Sequence, residues 1–151
     1  MIKVLFICHG NICRSPMSEF IMREMVRQRG LSDLIGVDSA ATSREEIGND
    51  MYPPAKRKLI EEGIPFERRH ARQITRADYD RYDMIICMER YNLRNISRII
   101  PDDPEGKIHL LLDYSDSPRD ISDPWYTGDF DRAYADIVEG CEGLLEHILS
   151  S

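Results

Sequence analysis

Along the chain, short apolar runs alternate with longer stretches in which apolar residues recur every three or four positions. The short runs read as strands covered on both faces, the longer ones as amphipathic helices. Their alternation predicts an α/β fold with a parallel sheet. Residues 3–8 are apolar nearly throughout and form the first predicted strand. After a turn at Gly10-Asn11, a helix is predicted over residues 15–29, with Ser15 as its cap, Pro16 at its first position and Gly30 as its stop. Within it Met17, Ile21 and Met25 repeat at i+4, and Phe20 widens the stripe. Further strands are predicted at 35–40, 84–88 and 107–112, and helices at 53–62, 89–98 and 129–149. Thr75 to Asp78 reads as a capping box opening a short helix. Residues 113–127 are rich in Asp, Ser and Pro and read as a long loop. The last helix carries Phe130, Tyr134, Ile137, Cys141, Leu144 and Ile148 at helical spacing.

At 151 residues the chain is expected to be one domain, residues 1–151, large enough to bury a core without disulfide or metal staples. Its 20 basic and 27 acidic residues give a net charge of −7. That balance argues against nonspecific binding of nucleic acid or anionic membranes, while leaving room for a small, locally positive pocket. No apolar run approaches the roughly 20 residues needed to span a bilayer. The opening MIKVLFIC runs into a glycine turn and reads as a strand, not a signal peptide. Cys8, Cys13, Cys87 and Cys141 are too few and too scattered for a secreted disulfide scaffold, so a cytoplasmic, reduced protein is expected.

The segment Cys8-His9-Gly10-Asn11-Ile12-Cys13-Arg14-Ser15 carries the most chemistry. A cysteine ends a buried strand, and five residues later an arginine and a serine open a helix. Backbone N–H groups in such a tight turn converge into an anion nest, to which the helix N-terminus adds unpaired donors. Gly10 is expected to take a backbone conformation closed to other residues, and Asn11 tolerates the left-handed region. Arg14 can offer two parallel donors to a tetrahedral oxyanion. Cys8 would lie at the floor of this cradle, in a positive field that favours thiolate over thiol, facing a bound phosphoryl group as a nucleophile. Taken alone, Cys8 could be a packed strand residue. The spacing of Cys8, His9 and Cys13 does not match usual zinc sites, and the C-x-x-C, G-x-G-x-x-G and Walker patterns are absent, so no metal or cofactor is expected.

The loop CHGNICRSP resembles the signature of the low-molecular-weight protein tyrosine phosphatases. The resemblance extends through VDSAATS at 37–43, HARQIT at 70–75, MIICM at 84–88 and DPW at 123–125, in the family's order. It implies a four-stranded parallel sheet flanked by helices on both faces, with a phosphate-binding loop after the first strand. It also implies metal-independent hydrolysis of phosphotyrosine and small aryl phosphates through a phosphocysteine, with tyrosine-phosphorylated proteins as substrates. Independently of the resemblance, a monomer is the default expectation.

A thiolate mechanism needs a proton donor for the leaving group. The acidic loop offers Asp113, Asp116, Asp120 and Asp123, and composition does not choose among them. Pro124 restricts Asp123 to an extended conformation and so favours it. The family places its general acid at this Asp-Pro. Trp125 and Tyr126 could flank an aromatic substrate or pack the loop onto the domain. The resemblance further implies that His9, Gly10, Asn11, Ile12, Cys13 and Ser15 contact substrate. It gives Asn11 and Ser39 the task of bracing the loop, and Ser15 that of stabilising the departing thiolate. Arg72 and Glu89 match a family pair behind the site. Cys13 is implied as the partner of Cys8 in a reversible, protective disulfide, whereas Cys87 and Cys141 fall on core faces. Ile12 stands where arginine-directed members carry Thr, which favours a phenyl ring over a phosphoguanidinium. Arg44-Glu45-Glu46 replaces an aromatic wall of animal members, leaving one side of the pocket open or charged. Two other activities compete: arsenate reduction, which needs a thiol relay that Cys87 and Cys141 are poorly placed to supply, and phosphoprotein binding without turnover.

Overall fold

Strand β1, Ile2–Cys8, lies inside a four-stranded parallel sheet of order β2-β1-β3-β4 in this computed structural model, which describes residues 1–151. The other strands are β2 (Ile35–Ala41), β3 (Met84–Cys87) and β4 (Ile108–Leu110). From β1 the chain crosses first to one neighbour, β2, and later to the other, β3. The strand order therefore reverses beside β1, and in open parallel sheets the crevice beyond the carboxyl ends at such a point is where ligands bind. Register places Cys8 opposite Ala41 and Ile7 opposite Cys87, so the ends of β1, β2 and β3 meet at one edge.

The period-two alternation of β1 divides the core. Val4, Phe6 and Cys8 face α1 (Arg14–Gln28), α2 (Pro53–Glu61) and the long C-terminal helix, whereas Leu5 and Ile7 face α3 (Arg76–Arg81) and α4 (Arg90–Ile96). Helices therefore cover both faces, as the apolar runs require. Met17, Phe20 and Ile21 of α1 pack against Ile137, Cys141, Leu144 and Ile148 in the larger of the two clusters. Each such fully buried aliphatic side chain stabilises the fold by roughly 1.5–3 kcal/mol.

Most boundaries differ from the sequence pattern by a residue or two, and three differences have a visible cause. β4 stops at Leu110, and Leu111–Tyr114 turns into a short 3-10 helix because the Asp113 carboxylate accepts the Leu110 N–H at 3.2 Å. The same turn is pressed against the C-terminal helix: a Cβ on Gly143 would stand 2.0 Å from the Tyr114 carbonyl oxygen, and one on Gly140 2.5 Å from Leu111. β3 stops at Cys87 because Asn92 Oδ1 takes the N–H groups of Met88 and Glu89 at 3.1 and 3.0 Å. The 113–127 stretch is not all loop, since a one-turn helix, α5 (Pro124–Thr127), precedes α6 (Phe130–Leu149). No helix is long and apolar enough to cross a membrane.

Candidate active site

The loop after β1 is shaped by Asn11. It is the only non-glycine residue with positive φ, 59°, and it turns the chain so that its own N–H points back at Cys8 Sγ, 3.3 Å away. Gly10 does not adopt a positive φ, contrary to expectation; Asn11 alone supplies the left-handed step. Four hydrogen bonds hold it there. Its Nδ2 donates to Ser15 Oγ at 2.8 Å and to Ser39 Oγ at 2.9 Å, while its Oδ1 accepts from the Arg69 guanidinium and from the Arg72 N–H. The side chain is fully buried, so a conformation that costs a free asparagine something is over-determined here. The Ser39 hydroxyl in turn donates to Glu19 Oε1 at 2.6 Å. Burial raises the Glu19 carboxyl above its ordinary range, despite that hydrogen bond and the nearby Arg23.

Ser15 is not a helix cap. Helix α1 begins one residue earlier, at Arg14, with Cys13 in the cap position and no side-chain cap bond. Ser15 Oγ lies instead 3.0 Å from Cys8 Sγ and accepts from Asn11. A hydroxyl has one proton, and among the contacts of Ser15 the sulfur is the acceptor left for it. Ser15 and the Asn11 N–H therefore both donate to the Cys8 sulfur.

Arg14, 1% exposed, is held from three sides. One terminal nitrogen donates to Glu89 Oε2 at 2.6 Å and to the Ile121 carbonyl at 2.8 Å; the other lies 3.3 Å from Asp123 Oδ2. Burial works against its charge, but Cys8, Asp123 and Glu89 outweigh burial and raise its pKa further above the usual arginine range. Asp123 is extended (φ −81°, ψ 110°), as a residue before proline should be, and its Oδ1 accepts the Trp125 N–H at 3.0 Å.

These groups line one cleft of about 520 Å³ that opens to solvent. Cys8, Cys13, Arg14 and Asp123 line it together with Ile12, Trp125 and Tyr126, and His9, Gly10, Glu45 and Glu46 complete it. The Arg44-Glu45-Glu46 side is charged, and His9 Nε2 pairs with Glu45 at 3.0 Å. Trp125 is half-exposed and also packs on Tyr52, with centroids 4.7 Å apart, so it both lines the cleft and anchors its loop. Asn11, Ser15 and Ser39 do not line the cleft; they are buried behind it. Cys13 is buried, and burial followed by the Cys8 charge pushes its thiol well up, keeping it protonated. Cys87 and Cys141 are fully buried in the core, which likewise raises their thiols, and all four cysteines are free.

Arg72 and Glu89 are not a pair. Arg72 binds Asp78 through both terminal nitrogens, at 2.9 and 3.1 Å, and Glu89 binds Arg14. The reason is topological: Glu89 follows β3 at the same sheet edge as the loop after β1, whereas Arg72 lies six residues before Asp78 in the approach to α3. The position of Glu89 just beyond a buried strand was the available signal for its place in the site. The contacts of Arg69, Glu19 and Tyr52 had none.

Sheet order, anion loop and cleft together define a small α/β phosphatase. Residues 3–151 match the family described as low molecular weight phosphotyrosine protein phosphatase, and the chain belongs to that family. It is 40% identical over 150 residues to the low molecular weight protein-tyrosine-phosphatase YfkJ of Bacillus subtilis, covering 98% of this chain and 96% of that one. The YfkJ crystal structure superposes with a TM-score of 0.95 over 99% of this chain and 96% of that chain. The human low molecular weight phosphotyrosine protein phosphatase is 40% identical over 149 residues, 95% of this chain and 94% of the human one. A Drosophila protein described as an arginine phosphatase has the same fold, with a TM-score of 0.87 and 33% identity over 97% of this chain and 98% of that chain.

Proposed function

We propose that this enzyme hydrolyses phosphotyrosine in proteins through a phosphocysteine on Cys8, with Arg14 binding the phosphoryl group and Asp123 serving as general acid and then general base. The observation that carries the proposal is the convergence of these three side chains on one cleft, Asp123 Oδ2 standing 3.3 Å from the Arg14 guanidinium above the loop that holds Cys8. The Cys8 thiolate attacks phosphorus as the P–O bond to the tyrosine oxygen breaks, and protonated Asp123 gives its proton to that oxygen. Arg14 and the loop N–H groups hold the phosphoryl oxygens throughout. Asp123, now a carboxylate, takes a proton from water; the water oxygen bonds to phosphorus, the S–P bond breaks, and the pair returns to sulfur. Ser15 and the Asn11 N–H receive that charge.

Ile12, Trp125 and Tyr126 offer apolar surface to a phenyl ring, and the branched side chain of Ile12 offers no hydroxyl to a phosphoguanidinium. The four free cysteines support a reducing, cytoplasmic setting, and we take the acting species to be a monomer. The test is turnover of phosphotyrosine, phosphoserine and phosphoarginine peptides at one enzyme concentration, in EDTA. Phosphotyrosine is expected to lead; phosphoarginine in first place would overturn the substrate assignment.

A further inference from the structure

Within the stretch from Asp123 to Asp129, Pro124 is the only buried residue; Trp125 is half-exposed and Tyr126 82% exposed. Apart from the contact of Asp123 with Arg14 at 3.3 Å, little therefore holds this segment in place, yet it carries the carboxylate read above as the acid. The segment's one aromatic anchor is Tyr52. Its ring lies 4.7 Å from the Trp125 ring and 6.2 Å from that of Phe130, the first residue of α6. Tyr52 and Phe130 also pack on the small cluster of Ile12, Cys13 and Ala71, two of which belong to the anion loop. The Tyr52 N–H donates to the Ile12 carbonyl at 2.8 Å, fixing the backbone of Tyr52 to the same loop. On the other side, the backbone N–H of Trp125 binds Asp123 Oδ1 at 3.0 Å. An unbroken chain of contacts thus runs from the loop that holds the sulfur, through Tyr52 and Trp125, to the carboxylate.

We infer that Tyr52 is a positioning residue: its ring clamps Trp125 against the anion loop and so sets where the Asp123 carboxyl stands relative to the leaving oxygen. The inference rests on the role proposed for Asp123. Aromatic pairs in such offset or tilted geometry contribute about 0.5–1.5 kcal/mol beyond area burial, enough to bias a segment that has little else to hold it. The Tyr52 hydroxyl makes no hydrogen bond, so the ring, not the phenol oxygen, does the positioning.

The signature is a dependence on leaving group. A general acid matters most when the departing oxygen is basic and little when it leaves readily. Misplacing Asp123 should therefore lower kcat/KM strongly for phenyl phosphate and phosphotyrosine but weakly for p-nitrophenyl phosphate. Tyr52→Leu keeps apolar contact with Ile12, Cys13 and Ala71 while removing the ring face. It is expected to lower kcat/KM for phenyl phosphate roughly tenfold and for p-nitrophenyl phosphate less than about threefold. Inhibition by inorganic phosphate should stay within about twofold of wild type. Tyr52→Phe should restore wild-type behaviour. Trp125→Ala, at a half-exposed position that does not threaten folding, also removes part of the cleft wall, so it should lower kcat/KM for both substrates but more for phenyl phosphate, and adding Tyr52→Leu to it should cost nothing further. Equal loss across the series, no loss, or additive losses in the double variant would overturn the inference. Asp123→Asn is measured alongside. If that variant shows no leaving-group dependence, the role of Asp123 itself fails; if it does and Tyr52→Leu does not, only the clamp fails.

Discussion

Ser15 Oγ lies 3.0 Å from Cys8 Sγ, and because Asn11 Nδ2 already donates to that oxygen, the serine proton is directed at the sulfur. The bond is worth most when the sulfur is charged, since a hydrogen bond to an ionised acceptor contributes about 1.5–3 kcal/mol. In the proposed mechanism the sulfur is charged when it attacks and again when it is expelled, so the hydroxyl would act on both steps. Its effect on a leaving group exceeds its effect on a nucleophile, because stabilising a thiolate also lowers its reactivity.

Ser15→Ala should therefore slow breakdown of the phosphoenzyme more than its formation. Steady-state kcat is expected to fall roughly 10- to 100-fold. Pre-steady-state mixing with p-nitrophenyl phosphate should reveal a burst of nitrophenol equal to the enzyme concentration. A slower rate with no burst would place the effect of Ser15 on the first step instead.

Asp123→Asn should lower kcat/KM for aryl phosphates with basic leaving groups by about 10²-fold or more. Phosphate binding should be unchanged or tighter, because the variant removes a negative charge 3.3 Å from Arg14. Competitive inhibition by phosphate measures the second half of this statement. Weakened binding with intact turnover would mean that another carboxylate is the acid.

Glu89 orients Arg14 by accepting from it at 2.6 Å. Glu89→Ala leaves that buried guanidinium with the Ile121 carbonyl and Asp123. Phosphate affinity is expected to drop roughly tenfold, about 1.4 kcal/mol, as Arg14 loses its aim. The variant should also melt earlier than wild type, because breaking a buried pair leaves a charge less well compensated. Inhibition constants and thermal melts check the two effects separately.

These relationships divide by how far apart in sequence their members lie. Cys8, Arg14 and Ser15 could be singled out because a strand end, a turn and a helix start stand within eight residues, whereas Asp123 needed the family resemblance beside its proline to stand out from Asp113, Asp116 and Asp120. The apolar runs gave the four strands and their parallel sense. Glu89 was legible as a residue behind the site, but its partner was not, since Arg14 is 75 residues away. Only the pairing of β3 beside β1 selects it. Only the cap half of the Ser15 reading fails: serine before a proline-opened helix is a strong local signal for a cap, whereas its contact with the Cys8 sulfur, implied by the resemblance, forms once the loop has folded back. Tyr52 carried no signal at all, since its ring finds Trp125, 73 residues further along the chain.

Stability should fall in acid through Asp78. Burial raises its carboxyl, but the two hydrogen bonds from Arg72 and the N–H of Thr75 outweigh burial and hold it below the usual aspartate range. A carboxyl depressed on folding contributes stability that is fully present above its unfolded pKa, about 3.9, and is lost as pH falls through the lower folded value. Asp78→Asn should therefore melt several degrees below wild type at pH 7, with the gap closing below about pH 4. A gap that persisted unchanged into acid would show that the pair contributes through shape alone.

Ile12→Thr tests the pocket wall. Replacing apolar surface by a hydroxyl should weaken phosphotyrosine turnover and raise the ratio of phosphoarginine to phosphotyrosine kcat/KM by roughly tenfold, the scale of one polar contact in a substrate site. An unchanged ratio would remove Ile12 from the determinants of substrate choice.

The covalent step is tested most directly by locating phosphorus during turnover. Asp123→Asn, in which the proposed base for release is lost, is mixed with p-nitrophenyl phosphate, whose leaving group needs little protonation, then quenched within its first turnover, digested and read by mass spectrometry. The account predicts one phosphate on the peptide containing Cys8, bonded to that sulfur. Phosphate on any other side chain would contradict it.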